Sequence, residues 1–231
     1  MYYTIERRWE YPGKPVLGDA NGKLVPNGKA YFERIGKGEV IYDAPVFDYF
    51  FLESYGDPKD WEWKLQDVHR FIGEYPVGGY LFISDYFKQL LEQFKIAEPY
   101  HFYPSKLKYK SQKLDYHIFR LNSDLEKNVN FQQSSFILQR GLLRPIIVKK
   151  IDFVINNLEH FNAVEKEYRE KEDLGIALEK VTIKYNYDLI ALFGINADVI
   201  ISERLKQAIE KAKIEGLEIK PTSYEVIMPE E

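Results

Sequence analysis

Three residues near the carboxyl end of the chain have the types that metal-dependent nucleases use. Glu218 and Lys220 are separated by one residue, and Asp198 lies about twenty positions upstream. Carboxylates at such a site gather on a magnesium ion, which activates a water molecule. The Glu-x-Lys pattern is short and common by chance, and a strand that carries a solvated carboxylate has the same appearance. A metal-dependent nuclease is therefore kept as an alternative function.

The other residue types that carry chemistry do not form a recognised motif. The four histidines, His69, His101, His117 and His160, lack the spacing of metal ligands. The sequence contains no Gly-x-Gly-x-x-Gly, no Gly-x-x-x-x-Gly-Lys-Ser/Thr and no Gly-x-Ser-x-Gly. It has no cysteine, which excludes disulfides, thiolate zinc sites and cysteine nucleophiles. We therefore expect no catalytic residues, no cofactor and no bound metal.

A basic segment with interspersed aromatic residues occupies the middle of the chain. Residues 100–150 carry ten basic and three acidic residues. A lysine-rich, aromatic strand face can bind single-stranded nucleic acid by charge and stacking. It can equally be a solvated sheet face opposite acidic helices, and the net charge of −4 argues against a general nucleic-acid binder. The residues of this second alternative are Lys106, Lys108, Tyr109, Lys110, Lys113 and Tyr116.

An acidic and aromatic segment nearer the N-terminus favours protein recognition. Tyrosine and tryptophan dominate the residues that anchor protein interfaces, and acids steer a protein toward a basic partner. A strand with its aromatic side chains in the core and its acids outside would have a similar pattern. The candidate partner-contacting residues are Asp43, Asp48, Tyr49, Glu53, Tyr55, Asp57, Asp60, Trp61 and Trp63.

A repeated element organises the chain around these residues. The segments 83–96 and 201–214 share seven identities in fourteen positions. In each, a β-rich apolar run ends at a serine, an acid follows, and apolar residues then recur at helical spacing. A serine at this place accepts a hydrogen bond from the first free N–H groups of a helix. Ser84 and Ser202 are thus predicted to be helix caps.

The repeat extends on both sides of these helices. Runs that begin with aspartate and end with glycine precede the two copies, at 67–73 and 188–194. Each helix is followed by a short segment that ends in a proline, Pro104 or Pro221. The predicted unit is strand, loop, strand, capped helix, strand. Two copies are too few for a solenoid, which needs about three.

These patterns predict an α+β fold with mixed or antiparallel sheets. We expect a duplicated strand-strand-helix-strand unit and one additional amphipathic helix, at 156–172, within a single domain over 1–231. Its parts are a turn-rich aromatic N-terminal part (1–64), the first unit (65–104), intervening strands and a helix (105–187), and the second unit (188–221).

The composition bears on where the protein acts. The N-terminus has no apolar stretch typical of a signal peptide, and no apolar run reaches the ~18 residues of a membrane helix. The absence of cysteine suits a reducing compartment. We therefore predict a soluble cytoplasmic protein without a membrane partner. The oligomeric state stays open.

Both copies of the repeat resemble a known family. The segments 201–210 with 215–219, and 82–91 with 101–107, resemble bacterial immunity proteins of polymorphic toxin systems, in the family often called immunity protein eleven. The resemblance covers roughly residues 65–121 and 188–220. It implies a cytoplasmic protein that binds a cognate toxin domain and blocks it by occlusion. It carries over no catalytic residues, and the matched residues are structural.

Overall fold

The computed structural model describes residues 1–7, 18–54, 64–77, 80–141 and 145–229. The helices are α1 (Gly28–Gly36), α2 (Asp85–Leu91), α3 (Leu125–Asn128), α4 (Leu158–Glu172) and α5 (Glu203–Ala212). The strands are β1 (Tyr2–Arg7), β2 (Asp19–Asn21), β3 (Phe47–Glu53), β4 (Val68–His69), β5 (Tyr80–Ser84), β6 (Tyr100–Tyr109), β7 (Gln112–Leu121), β8 (Ser135–Arg140), β9 (Ile146–Lys150), β10 (Gly175–Thr182), β11 (Leu189–Ala191), β12 (Val199–Ser202), β13 (Leu217–Pro221) and β14 (Glu225–Ile227).

The strands form three sheets. One has six strands in the order β2-β3-β6-β7-β5-β4, and two have four, in the orders β11-β12-β1-β13 and β14-β10-β8-β9. Most neighbouring strands are antiparallel, whereas β3 with β6 and β10 with β14 are parallel. Helices and mixed sheets together confirm the predicted α+β class.

The two repeat units have the same strand order. The first forms β4-β5-β7-β6 within the large sheet, and the second forms β11-β12-β1-β13. The N-terminal strand β1 therefore holds the place in the second unit that β7 holds in the first. The cross-strand partners correspond: Ser84 lies opposite Tyr116 and Ser202 opposite Tyr2, and Pro104 lies opposite His117 and Pro221 opposite Tyr3.

The strand-to-helix junctions are also alike. Ser84 ends β5, and its hydroxyl accepts the N–H of Phe87 at 3.1 Å and donates to Asp67 at 2.7 Å. The second copy repeats these contacts with Ser202, Leu205 and Asp188, again at 3.1 and 2.7 Å. Each aspartate thus links the first strand of its unit to the helix cap.

The units contact each other reciprocally. The carboxylate of Asp67 accepts the N–H of Glu215, which follows the helix of the second unit, at 2.9 Å. The carboxylate of Asp188 accepts the N–H of Lys95, which follows the helix of the first unit, also at 2.9 Å. Contacts in which each partner repeats the other's role are those of a two-fold axis. The two units thus contact each other in the manner that a pseudo-two-fold axis produces.

Three hydrophobic clusters stabilise the sheets. The cluster between the repeat units contains Phe87 and Leu91 of α2 and Leu205 and Ile209 of α5. A second packs α1 against the six-stranded sheet. A third packs α4 against the remaining sheet, where Phe161 lies 5.3 Å from Phe136, ring to ring. The helix faces on which apolar residues recur are thus the faces that are buried.

Several elements differ from the sequence-based prediction. Helix α1 was not predicted, because its aromatic residues favour strands, yet Phe32 and Ile35 lie one turn apart and are buried. The β-branched residues from Ile146 to Val154 predict one strand, whereas strand β9 ends at Lys150. The alternation of residues 61–65 also predicts a strand. Residues 61–63 lie outside the described part, and Lys64 and Leu65 are not in a strand. The described helices include none with the length and apolarity needed to cross a membrane.

Candidate protein-binding surface

Four of the predicted partner-contacting residues lie in the described part of the chain: Asp43, Asp48, Tyr49 and Glu53. The other five lie outside it: Tyr55, Asp57, Asp60, Trp61 and Trp63. The four occupy the loop after α1 and strand β3, which lies between β2 and β6.

The loop before β3 exposes Tyr42 because its neighbour is anchored. Ile41 is buried, and its N–H donates to the hydroxyl of Tyr103 at 3.2 Å. The next side chain, Tyr42, is 85% exposed and meets the ring of His101 edge-on at 5.7 Å. Burial, together with the charge of Arg120, lowers the pKa of His101. Tyr42 therefore rests on an imidazole that is neutral at neutral pH.

Strand β3 contains a β-bulge that turns Tyr49 toward solvent. Phe47 pairs with Ser105 and Phe50 with Leu107, so one more residue separates the pair on β3 than on β6. Phe47 and Phe50 both remain buried, and Tyr49 between them is 40% exposed. Bulges re-aim side chains in this way and recur near functional sites.

Tyr49 adopts a backbone conformation that is uncommon for a bulky residue. Its φ is 72°, in the left-handed region, where a side chain costs about 1 to 3 kcal/mol. The carboxylate of Asp48 accepts the Tyr49 N–H at 2.7 Å. Lys113 donates to the same carboxylate at 2.6 Å, and its ammonium lies 3.9 Å from the centre of the Tyr49 ring. The surrounding charges therefore hold the exposed ring in place.

The hydrogen bond between Lys113 and Asp48 also raises the pKa of Lys113, so the lysine is charged across the neutral range. Together with Val46, which is 53% exposed, these residues define a surface that we name the Tyr42–Tyr49 surface. Its members are Tyr42, Asp43, Val46, Asp48 and Tyr49. A preformed surface with two aromatic side chains is suited to binding another protein.

Glu53 belongs to the fold rather than to this surface. Its carboxylate accepts a hydrogen bond from the side chain of Asn21, at 2.5 Å, on the adjacent strand β2. Asn21 in turn accepts the backbone N–H of Lys23 at 2.9 Å. Glu53 therefore stabilises the edge of the large sheet.

Of the residues of the nuclease alternative, Glu218 and Lys220 contact each other, and Asp198 is bonded to other side chains. Asp198 accepts hydrogen bonds from Tyr224 at 2.8 Å and from Asn196 at 2.9 Å. Burial and the nearby charge of Glu6 raise its pKa. Lys220 contacts the carboxylates of Glu6 and Glu218, at 3.7 and 3.3 Å. Within the described ranges, no group of three or more His, Asp or Glu side chains is arranged to hold a metal ion.

The lysines of the nucleic-acid alternative are largely paired. Lys106 bonds Asp115 at 2.5 Å, and Lys113 bonds Asp48. Lys110 lies over the ring of Tyr109 at 5.3 Å. Tyr116 is buried and donates to a backbone carbonyl, so it presents no stacking face. The basic segment thus forms a mixed-charge sheet face.

One exposed surface was missed from the sequence. The residues Ile146 to Val148 of β9 were predicted to be a strand, but all five residues of β9 are exposed. Three consecutive β-branched residues signal a strand without showing whether another element covers it.

Comparison of the sequence with models of known protein families and with curated proteins found no match.

Proposed function

We propose that this protein binds a cognate bacterial toxin domain in the cytoplasm and neutralises it by occlusion. The observation that carries the proposal is Tyr49, a half-exposed aromatic residue held in a left-handed backbone conformation. Strain of this kind persists where the surrounding structure enforces it, and it clusters at binding sites. The resemblance of the repeat units to immunity proteins supplies the identity of the partner class.

The arrangement around Tyr49 is suited to tight binding. Neutralising an enzyme present at low copy number needs a sub-nanomolar Kd, which corresponds to about −12 kcal/mol. A ring that is already held in place loses little conformational freedom on binding. The contact of Lys113 with Asp48 and Tyr49 provides that order before the partner arrives.

Asp43, an exposed acid of the surface, favours a basic partner, whereas Asp48 is already paired with Lys113. Asp43 is exposed beside Tyr42, and acids at the rim of an interface accelerate association with a positively charged surface. Toxins that cleave nucleic acids carry basic surfaces. We therefore expect a nuclease domain as the toxin.

The test uses the C-terminal toxin domain encoded beside this chain. Tight binding in biolayer interferometry and rescue of growth on co-expression are the expected results. Tyr49→Gly is the informative variant, because glycine adopts a positive φ without strain. It should keep or raise the stability while weakening binding by roughly thirtyfold, the effect of losing an aromatic anchor.

Tyr185→Gly is the matched control, since Tyr185 is a 44% exposed tyrosine elsewhere on the chain. Its Kd for the toxin should stay within about twofold of wild type, as for most residues outside an interface. Absence of toxin binding by the wild-type protein would refute the function. Binding that survives Tyr49→Gly would refute the surface alone.

A further inference from the structure

The six-stranded sheet closes on itself at its outer strands. The segment that continues β4 lies beside β2, with Ala20 paired in parallel with Phe71. The Ala20 N–H donates to the carbonyl of Arg70 at 2.7 Å, and the Ile72 N–H donates to the carbonyl of Ala20 at 3.1 Å. Because β2 and β4 are the first and last strands of the order, these bonds join the two edges. The sheet is therefore a small β-barrel, and apolar side chains fill its interior.

Helix α1 lies across one mouth of this barrel. It connects β2 to β3, and it buries Phe32 and Ile35 in the barrel interior. Because β2 and the continuation of β4 run parallel, the segment that leads from β4 to β5 leaves the barrel at the same mouth. A cavity of about 490 Å³ lies between α1 and residues 73–77 of that segment. Barrel mouths are places where proteins commonly bind small ligands.

The cavity combines an apolar wall with charges of both signs. Phe32, Tyr75 and Val77 form the apolar wall. The ring of Tyr75 stacks on that of Phe71 at 5.5 Å, and Val77 is 66% exposed. The charged side chains that line the cavity are Lys29, Glu33, Lys37 and Glu74. Cavities of this volume with an apolar lining and a few polar groups are typical of ligand sites.

The charged side chains of the cavity are not paired with each other. Glu33 and Lys37 have the i,i+4 spacing that favours an ion pair on a helix. Within the described part of the chain, neither they nor Lys29 and Glu74 form an ion pair. The same spacing gives ion pairs on the other long helices: Glu165 with Arg169, Glu167 with Lys171, and Lys206 with Glu210. The charges of α1 are therefore available to a ligand.

The order of these charges indicates the ligand. Lys29, Glu33 and Lys37 follow each other at intervals of four residues, about 6 Å along the helix axis. Lys29, Glu33 and Glu74 also line the adjoining pocket, so that end of the cavity has a net negative charge and the Lys37 end a positive one. An extended dipeptide places its ammonium and carboxylate about 6 to 7 Å apart. A single amino acid holds the two charges closer together.

We propose that this cavity binds a dipeptide with free termini and apolar side chains. The carboxylate of the dipeptide pairs with Lys37, and its ammonium pairs with Glu33 and Glu74. The apolar side chains pack against Tyr75 and Val77. None of these residues belongs to the Tyr42–Tyr49 surface, and the inference does not depend on the proposed toxin binding.

Isothermal titration calorimetry of the purified full chain with the dipeptide Leu-Phe tests the proposal. A ligand of this size should bind with a Kd on the order of tens of micromolar. N-acetyl-Leu-Phe lacks the ammonium and Leu-Phe amide lacks the carboxylate. Each should bind about tenfold more weakly, the effect of losing a charge-assisted hydrogen bond. Absence of Leu-Phe binding at millimolar concentration, equal affinity for the capped peptides, or tighter binding of free phenylalanine would overturn the proposal.

Lys37→Gln tests the position of the carboxylate. It should weaken binding of Leu-Phe about tenfold and leave the Kd for Leu-Phe amide unchanged, because the amide has no carboxylate to lose a partner. Lys166→Gln is the matched control, since Lys166 is an exposed lysine of α4. It should leave the Kd of both peptides unchanged. Equal effects of Lys37→Gln on the two peptides would contradict the proposed pairing.

Gly36→Leu tests the cavity itself. A Cβ at Gly36 would lie 3.5 Å from the carbonyl oxygen of Val77, which is an ordinary contact, and Gly36 lines the cavity. The leucine side chain should therefore occupy the cavity and abolish Leu-Phe binding. Because leucine favours a helix more than glycine does, stability in urea should be kept or raised. Leu-Phe binding that persists in this variant would place the peptide elsewhere and overturn the proposal.

Discussion

The two repeat units reproduce the same bonds with partly different residues. In the first unit, His117 of the central strand bonds Asp85, the first residue of α2, at 2.9 Å. In the second unit, the equivalent strand position is Tyr3, which donates to Glu203 of α5 at 2.5 Å. A histidine in one unit and a tyrosine in the other thus bond to the acidic residue that begins the helix. The position requires a polar partner for the acid, and either ring supplies one.

The units differ more in how their aspartates are held. Arg204 adds two hydrogen bonds to Asp188, one of them from Nε at 3.1 Å. The equivalent residue in the first unit is Tyr86, which instead donates to the carbonyl of Ala212 at 3.4 Å. Asp67 therefore keeps the shared contacts without the ion pair. The shared contacts define the architecture, and the arginine adds electrostatic stability to one half only.

Among substitutions that distinguish the two repeat units, we expect the largest loss of stability at Gly216. Its φ is +103°, and a Cβ there would lie 2.3 Å from the carbonyl oxygen of Val68. Gly216→Ala combines strain with a backbone clash, so we expect a loss of about 3 kcal/mol or more in the free energy of unfolding by urea. By contact, Lys95 of the first unit corresponds to Glu215 of the second. The residue after Lys95 is Ile96, so the first unit has no glycine at this place.

Gly175→Ala is the control for this variant, because no atom of the described residues, apart from its chain neighbours, lies within 4 Å of the added Cβ. Its free energy of unfolding should change by less than about 1 kcal/mol. Equal losses from the two substitutions would show that the close approach of Gly216 to Val68 does not exist.

Removing the charge of Asp188 should lower the free energy of unfolding more than removing the charge of Asp67. Asp188→Asn removes charge-assisted hydrogen bonds and also the ion pair with Arg204, whose side chain is 67% exposed, so we expect a loss of about 2 to 3 kcal/mol. Asp67→Asn removes charge-assisted hydrogen bonds but no ion pair, and about 2 kcal/mol is expected. Urea unfolding of both variants measures the difference. A larger loss for Asp67→Asn would contradict the role given to Arg204.

The capping serines should be equivalent. Ser84→Ala and Ser202→Ala each remove a cap and a hydroxyl bonded to aspartate, so each should cost about 1 to 2 kcal/mol. Because the distances in the two junctions match, the two losses should agree within about 0.5 kcal/mol, the usual error of additivity. Thermal or urea unfolding provides the comparison. A large loss of unfolding free energy for only one of the two variants would contradict the equivalence of the two junctions.

The smallest effect is the pH dependence that Arg204 adds. Burial by itself would raise the pKa of Asp188, but hydrogen bonds from Arg204, the Lys95 N–H and Ser202 outweigh it and lower the pKa. The carboxylate therefore contributes its full stability above the unfolded pKa of about 3.9, and the contribution is lost as the pH falls through the lower folded value.

In Arg204→Leu the folded pKa of Asp188 should rise toward the unfolded value, so the stability lost on acidification should be smaller and the loss should end at a higher pH. Urea unfolding as a function of pH measures this shift. Tyr86→Leu is the control, because Tyr86 holds the equivalent place without contacting Asp67. If Arg204→Leu leaves the pH dependence of the free energy of unfolding unchanged, the ion pair with Asp188 does not distinguish the two units.

The predictable part of the structure is the part that depends on neighbouring residues. The helix starts at Ser84 and Ser202 followed from a serine, an acid and helical spacing within a few positions. Helix α4 followed from the same spacing, with Phe161 and Val164 buried as expected. Helix α1 escaped prediction because its aromatic residues favour strands.

At the candidate site, the sequence predicted Tyr49 as a contact residue but not its conformation. The bulge arises because β3 has one more residue than β6 between the pairs formed by Phe47 and Phe50. The lysine that contacts the Tyr49 ring belongs to β7. Lys113 forms an ion pair with Asp48, a contact that the sequence analysis did not include. Such pairings link distant segments and leave no local pattern.

By itself, the sequence determined that the chain contains one unit twice, because capping and helical periodicity are encoded within each copy. Only the tertiary structure decided that each aspartate binds the other copy, that β1 replaces β7 in the second unit, and that β9 is the outermost described strand of its sheet. These outcomes depend on which strands meet across long stretches of chain. Strand partners are chosen by register and burial in three dimensions, and neither is visible along one strand alone.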